Sequence, residues 1–150
     1  MIKKSCLVIA AAMLSNLSLA AEGVISIESP YSVKETADRF ESILNNKGLT
    51  IFTRINHSQN AAKVDLELAP TEVVIFGNPK VGTPLMQCAA SAAIDLPQKA
   101  LFWQDQQGQV WLSYNDPAYL KKRHDIGNCD PVIDKISGVL GKLSKAATSR

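Results

Sequence analysis

Few side chains in this sequence could do chemistry, and they are scattered. His57 and His124 are its two histidines, and an imidazole can move a proton, ligate a metal or haem, or hold a structural hydrogen bond. His57 follows an apolar segment and precedes Ser58-Gln59-Asn60, a position suited to a general base, a ligand or the cap of the next helix. His124 stands beside Lys121, Lys122 and Arg123. A ligating ring and a solvated surface residue are the two readings open there. Met86 opens an apolar helical face and reads as core filler. It becomes a soft ligand for copper or haem only if a histidine comes close.

The stretch from Ile75 to Met86 concentrates two glycines, two prolines, an amide and a cation in one strand-to-helix connection. Its Asn78, Lys80 and Thr83 could form an anion nest, with backbone amides at a helix N-terminus aimed outward. The spacing is not that of a P-loop, which needs Lys directly after the second glycine. Ser113, Tyr114, Asn115 and Asp116 make a polar strand end, and Tyr114 with Asn115 could meet the Asn78 turn to form one rim of a ligand pocket. Trp103, Trp111 and Tyr114 either pack against a helix or line that pocket. No nucleophile-base pair, metal-ligand cluster or nucleotide loop forces one reaction.

The elements that must position these residues follow from periodicity. Val24 to Glu28 alternates as a strand. Ser32 and Glu35 have capping-box spacing before a helix whose apolar face carries Val33, Ala37, Phe40 and Leu44, and Gly48 stops it. Leu49 to Ile55 predicts a second strand and Gln59 to Val64 a short helix. Thr71 to Phe76 is a continuous apolar run suited to the middle of a sheet. Thr83-Pro84 predicts the N-cap and first residue of a helix over Pro84 to Ala92. Lys99 to Asp105 and Gln109 to Asn115 flank Gln106-Gln107-Gly108, a hairpin loop that sets Trp103 opposite Trp111. Asp116-Pro117 starts a short helix carrying His124, and Pro131 opens a long one with an apolar stripe. The pattern predicts an α+β, two-layer sandwich: about five mainly antiparallel strands with helices packed on one face.

Residues 1–20 follow the secretory pattern, with Lys3 and Lys4 ahead of a short apolar run and small residues up to Ala20. The run is too short for a bilayer core about 30 Å thick. We therefore expect a cleaved signal peptide over 1–20, a single domain over 21–150, a periplasmic or secreted location, and no membrane insertion after cleavage. Losing Lys3 and Lys4 from 16 basic residues leaves 14, which equals the 14 acidic ones. This linear balance offers no basic stripe for nucleic acid or anionic lipid. Cys88 and Cys129 are the cysteines left after Ala20. In an oxidising compartment they read as a disulfide, with a redox pair or metal thiolates as the alternative.

Five blocks in order, Arg54-Ile55-Asn56-His57, Ile75-Phe76-Gly77-Asn78-Pro79-Lys80, Gly82-Thr83-Pro84-Leu85-Met86, Asp95-Leu96-Pro97-Gln98-Lys99-Ala100 and Trp111-Leu112-Ser113-Tyr114-Asn115-Asp116-Pro117, resemble the domain of unknown function 302 family. The likeness runs from about Ser26 to Ala146. It implies a small α+β domain that pairs as a homodimer, and it brings no established activity. The family's first block usually carries aspartate where this chain has Asn56.

These readings predict a non-catalytic domain that binds a small molecule or anion, or serves an accessory role, with Asn78, Lys80, Thr83, His57, Tyr114 and Asn115 at the site. The alternatives are a metal- or haem-binding protein using His57, His124 and Met86, and an enzyme with His57 as general base. The cofactor is left open.

Overall fold

The structure, a computed structural model, describes residues 21–150, so the expected signal peptide and its cleavage after Ala20 lie outside the described residues. Eleven elements follow in order: β1 (Val24–Ser29), α1 (Val33–Asn46), β2 (Thr50–Asn56), α2 (His57–Ala62), β3 (Thr71–Gly77), α3 (Pro79–Cys88), a 3-10 turn (Ala90–Ile94), β4 (Gln98–Gln104), β5 (Val110–Asn115), α4 (Pro117–Arg123) and α5 (Asp130–Thr148). The strands form one open sheet in the order β1-β5-β4-β3-β2, and every neighbouring pair is antiparallel. The fold is α+β.

Period-two alternation places Val74, Phe76, Ala100, Phe102, Leu112 and Tyr114 on one side of the sheet, where all are buried. Helix α1 lays Val33, Ala37, Phe40 and Leu44 against that side, at the spacing of one helical face. Phe40 meets Phe76 and Phe102 edge-on, with ring centroids 5.2 and 5.5 Å away. Helix α5 adds Ile133, Ile136, Leu140 and Leu143 to the same cluster. Ser32 caps α1 by accepting from the Glu35 amide, and Gly48 follows with φ +66, as the sequence predicts. The predicted hairpin also forms. Trp103 pairs with Trp111, the indoles stack 6.4 Å apart, and Gly108 takes φ +83.

Two helices start earlier than the sequence predicts. Helix α3 begins at Pro79, with Asn78 as its cap, and Pro84 lies inside it. Asn78-Pro79 and Thr83-Pro84 carry the same cap-then-proline signature, and the pair nearer the strand is the one used. Helix α2 begins at His57 because the Asn56 side chain accepts from the Gln59 amide. Cys88 and Cys129 form a disulfide with Cα atoms 6.5 Å apart, tying the end of α3 to the start of α5.

Candidate functional site

The chain leaves β3 at Gly77 and turns directly into α3, and beside this turn lies a hollow of about 240 Å³. Asn78, Thr83 and Met86 line it, together with Phe52, Leu96 and Gln98. A second hollow of about 420 Å³ continues along α5 and shares Gly77, Asn78, Val81, Gln98 and Ile136 with the first. The turn singled out by sequence therefore does border open space.

The amides of the turn are engaged within it. Asn78 Oδ1 accepts from the Lys80 amide at 2.9 Å, and the Asn78 carbonyl accepts from the Val81 and Gly82 amides, both at 2.9 Å. Thr83, inside the helix, is exposed but lines the hollow, whereas the exposed Lys80 does not.

Strand geometry separates the remaining candidates. Asn56 pairs with Glu72 and Thr50 with Gly77, so His57 sits at the far end of β3 from Asn78, about 20 Å away at 3.4 Å per residue. His57 is exposed at the first position of α2, and the capping falls to Asn56. Tyr114 and Asn115 lie toward the same end of the sheet as Asn78, but β4 intervenes and the register sets Tyr114 level with Val74, four residues short of Asn78, a separation of about 15 Å. Tyr114 is buried on the helix side, and burial, with Asp116 nearby, pushes its phenol pKa above the usual value. Neither Tyr114 nor Asn115 lines either hollow.

His124 is not solvated. Its side chain is 6% exposed. Its Nε2 meets Asp95 Oδ2 at 2.5 Å and its Nδ1 meets Ser91 Oγ at 3.1 Å, while Arg123 reaches Asp95 Oδ1 at 3.3 Å. Serine, histidine and aspartate thus stand in a row, but Ser91 is exposed and borders neither hollow. The row clamps the 3-10 turn to the end of α4, beside the disulfide. With both nitrogens of His124 engaged, His57 a strand's length off and Met86 in the hollow, the three expected metal ligands do not form one set. Among the described residues no three His, Cys, Asp or Glu side chains are grouped to hold a metal.

Two features were missed by the sequence reading. Gln98, at the start of β4, is 9% exposed and faces the helix layer, yet its Nε2 has no hydrogen-bond partner. An unmet buried donor costs about 1–3 kcal/mol. The second is Arg54, which donates to Glu72 at 2.6 Å, Asp38 at 2.6 Å and Glu41 at 3.0 Å. Burial works against the guanidinium charge, but these carboxylates outweigh it and raise the Arg54 pKa. Asn56 Nδ2 donates to the other oxygen of Glu72 at 3.1 Å, so the family's usual aspartate would here bring a like charge to a carboxylate only 8% exposed.

Residues 25–143 match the family described as Domain of unknown function DUF302. The chain belongs to this family. It superposes on the crystal structure of an uncharacterized conserved DUF302 protein from Bacillus stearothermophilus with a TM-score of 0.68, at 18% identity, over 85% of this chain and 97% of that one. That likeness carries the fold. Three curated relatives are each 41% identical over 131 residues, or 87% of this chain: Fluoride-specific ion channel FluC 1 of Brucella suis biovar 1 (strain 1330), FluC 1 of Brucella abortus biovar 1 (strain 9-941), and FluC 2 of Brucella melitensis biotype 1 (strain ATCC 23456 / CCUG 17765 / NCTC 10094 / 16M). The chain spans about half the length of these relatives, 52% of the first and 48% of the other two.

These relatives correct two expectations. A periplasmic or secreted small-ligand-binding or accessory domain, with the metal, haem and His57-enzyme alternatives, gives way to relatives named as fluoride-specific ion channels. The expected periplasmic or secreted location is corrected by the same finding, since the relatives are named as ion channels. The sequence reading rested on the absence of a reactive constellation, and an absence of that kind does not by itself select a ligand binder. Among the described residues no helix is long and apolar enough to cross a membrane.

Proposed function

We propose that this chain serves fluoride permeation at a membrane, as a domain that lies outside the bilayer and modulates a conducting partner. The observation that carries this reading is the 41% identity to fluoride-specific ion channels across a stretch amounting to about half of each. A helical conducting path through a hydrocarbon core takes helices of about 20 apolar residues, and no described helix here is of that kind. On this reading conduction belongs to a separate membrane-spanning part, and the control of that part to this chain.

The test is fluoride flux. Proteoliposomes holding a fluoride channel of the host, with and without this chain, are compared by fluoride electrode, and a strain lacking the gene is grown in graded fluoride. Coupling between domains of ordinary strength changes the flux about fivefold or more, and loss of the gene shifts fluoride tolerance. Unchanged flux together with unchanged tolerance would overturn the reading.

A further inference from the structure

The two hollows share five lining residues and form one groove, running from Phe52 past Gln98 to the C-terminal half of α5. Its walls are apolar, with Phe76, Val81, Leu140 and Leu143 among them. Phe52 and Val139 stand at its mouth, 53% and 40% exposed. Every charged residue lining it is a lysine: Lys47 from the end of α1, and Lys135 and Lys142 from α5. A spacing of seven residues puts the last two on one helix face. No aspartate or glutamate lines either lobe, and among the described residues none of the three lysines is in an ion pair. The unpartnered amide nitrogen of Gln98 belongs to the residue where the two lobes meet.

We infer that this groove is a docking surface for an anionic lipid of the bilayer. An acyl chain fits the apolar trough, the headgroup meets the lysines, and Gln98 offers a donor to a lipid oxygen. The combination selects the ligand: an apolar trough rejects a bare hydrophilic anion, and three unopposed cations reject a cationic amphiphile. Basic residues around an apolar patch draw a protein to an anionic leaflet, whereas either feature alone gives weak attachment. The zero charge balance of residues 21–150 hides the site, because its lysines converge only in the fold. The inference stands on the groove and not on the fluoride reading.

Co-sedimentation with vesicles tests it, using phosphatidylcholine alone and phosphatidylcholine mixed with phosphatidylglycerol. The chain is expected to partition preferentially to the anionic vesicles, less so as salt rises. Joint substitution of Lys47→Gln, Lys135→Gln and Lys142→Gln is expected to weaken this about tenfold or more. Val139→Asp, at an exposed position, weakens it as well, with an unchanged melting curve by circular dichroism. Lys80→Gln, outside the groove, binds as the unsubstituted protein does. Four results overturn the proposal: equal partition to both vesicles, no partition to either, undiminished binding by the triple variant, or undiminished binding by Val139→Asp. Concentration-dependent self-association that Val139→Asp abolishes, without vesicle binding, would overturn it too, and would assign the groove to a second copy of the chain.

Discussion

Arg54 and Gln98 are both polar side chains on the helix side of the same sheet, one on edge strand β2 and one at the start of central strand β4. Arg54 is met by Glu72, Asp38 and Glu41 and by the Lys34 carbonyl. Gln98 Nε2 is met by nothing. At the β2 end of the α1 layer, charge is matched by charge and the elements are locked. Around Gln98, lysines go unopposed and open space remains. Buried polar groups are as a rule hydrogen-bonded, so one without a partner calls for an explanation, and an occupant of the groove supplies one for Gln98. The unmatched side coincides with the groove proposed above as a docking surface.

The largest expected effect breaks the matched side. Arg54→Ala leaves the Glu72 carboxylate, 8% exposed, without its cation. A loss of about 3 kcal/mol in urea denaturation is expected, at the lower end for a buried pair because water reaches the arginine. Gln98→Met tests the opposite side. Replacing the unmet donor by an apolar group of similar length is expected to stabilise the protein by about 1 kcal/mol in the same assay.

Asn56→Asp keeps the cap on α2, since aspartate caps as well as asparagine, but sets a carboxylate against Glu72. A cost of about 1 kcal/mol at pH 7 is expected, shrinking as pH falls and the pair takes up a proton. Acid should also act on the native network. Hydrogen bonds from Lys34 and then Arg54 hold the Asp38 pKa below its ordinary 3.8. A carboxylate depressed in the fold contributes stability that is fully present above its unfolded value and lost as pH drops through its folded value. Thermal melts of the native protein should therefore begin losing this contribution below about pH 4, and Asp38→Asn should flatten that loss. The smallest effect belongs to the open side. The triple lysine-to-glutamine variant is expected to change stability by under about 0.5 kcal/mol, because these residues are exposed and unpaired.

What sequence shows and what it hides divide along the same line. Ser32, Gly48 and the Gly108 loop act through residues a few positions away, so the α1 boundaries and the Trp103–Trp111 register are legible from local pattern. The turn at Asn78 is legible for a similar reason, since its unusual composition marks a special backbone even though its helix starts five residues early. Gln98 carries no such mark. Its lack of a partner arises from which strands flank β4 and how far α3 and α5 stand from the sheet. Lys47, Lys135 and Lys142 come together across almost a hundred residues of chain. His57, conversely, looked like a site residue because histidine is chemically versatile, and antiparallel pairing of β2 with β3 sends it to the far end of the molecule.

The pairing of β2 with β3 shifts register between Ile51 and Thr53, which leaves Phe52 as an extra residue on an edge strand. Such a bulge spoils the flat row of free amides and carbonyls that another strand would need for zipping alongside. One inserted residue thus makes this edge a poor template for a further strand and, by the same kink, sets an aromatic ring at the lip of the lysine-rimmed trough.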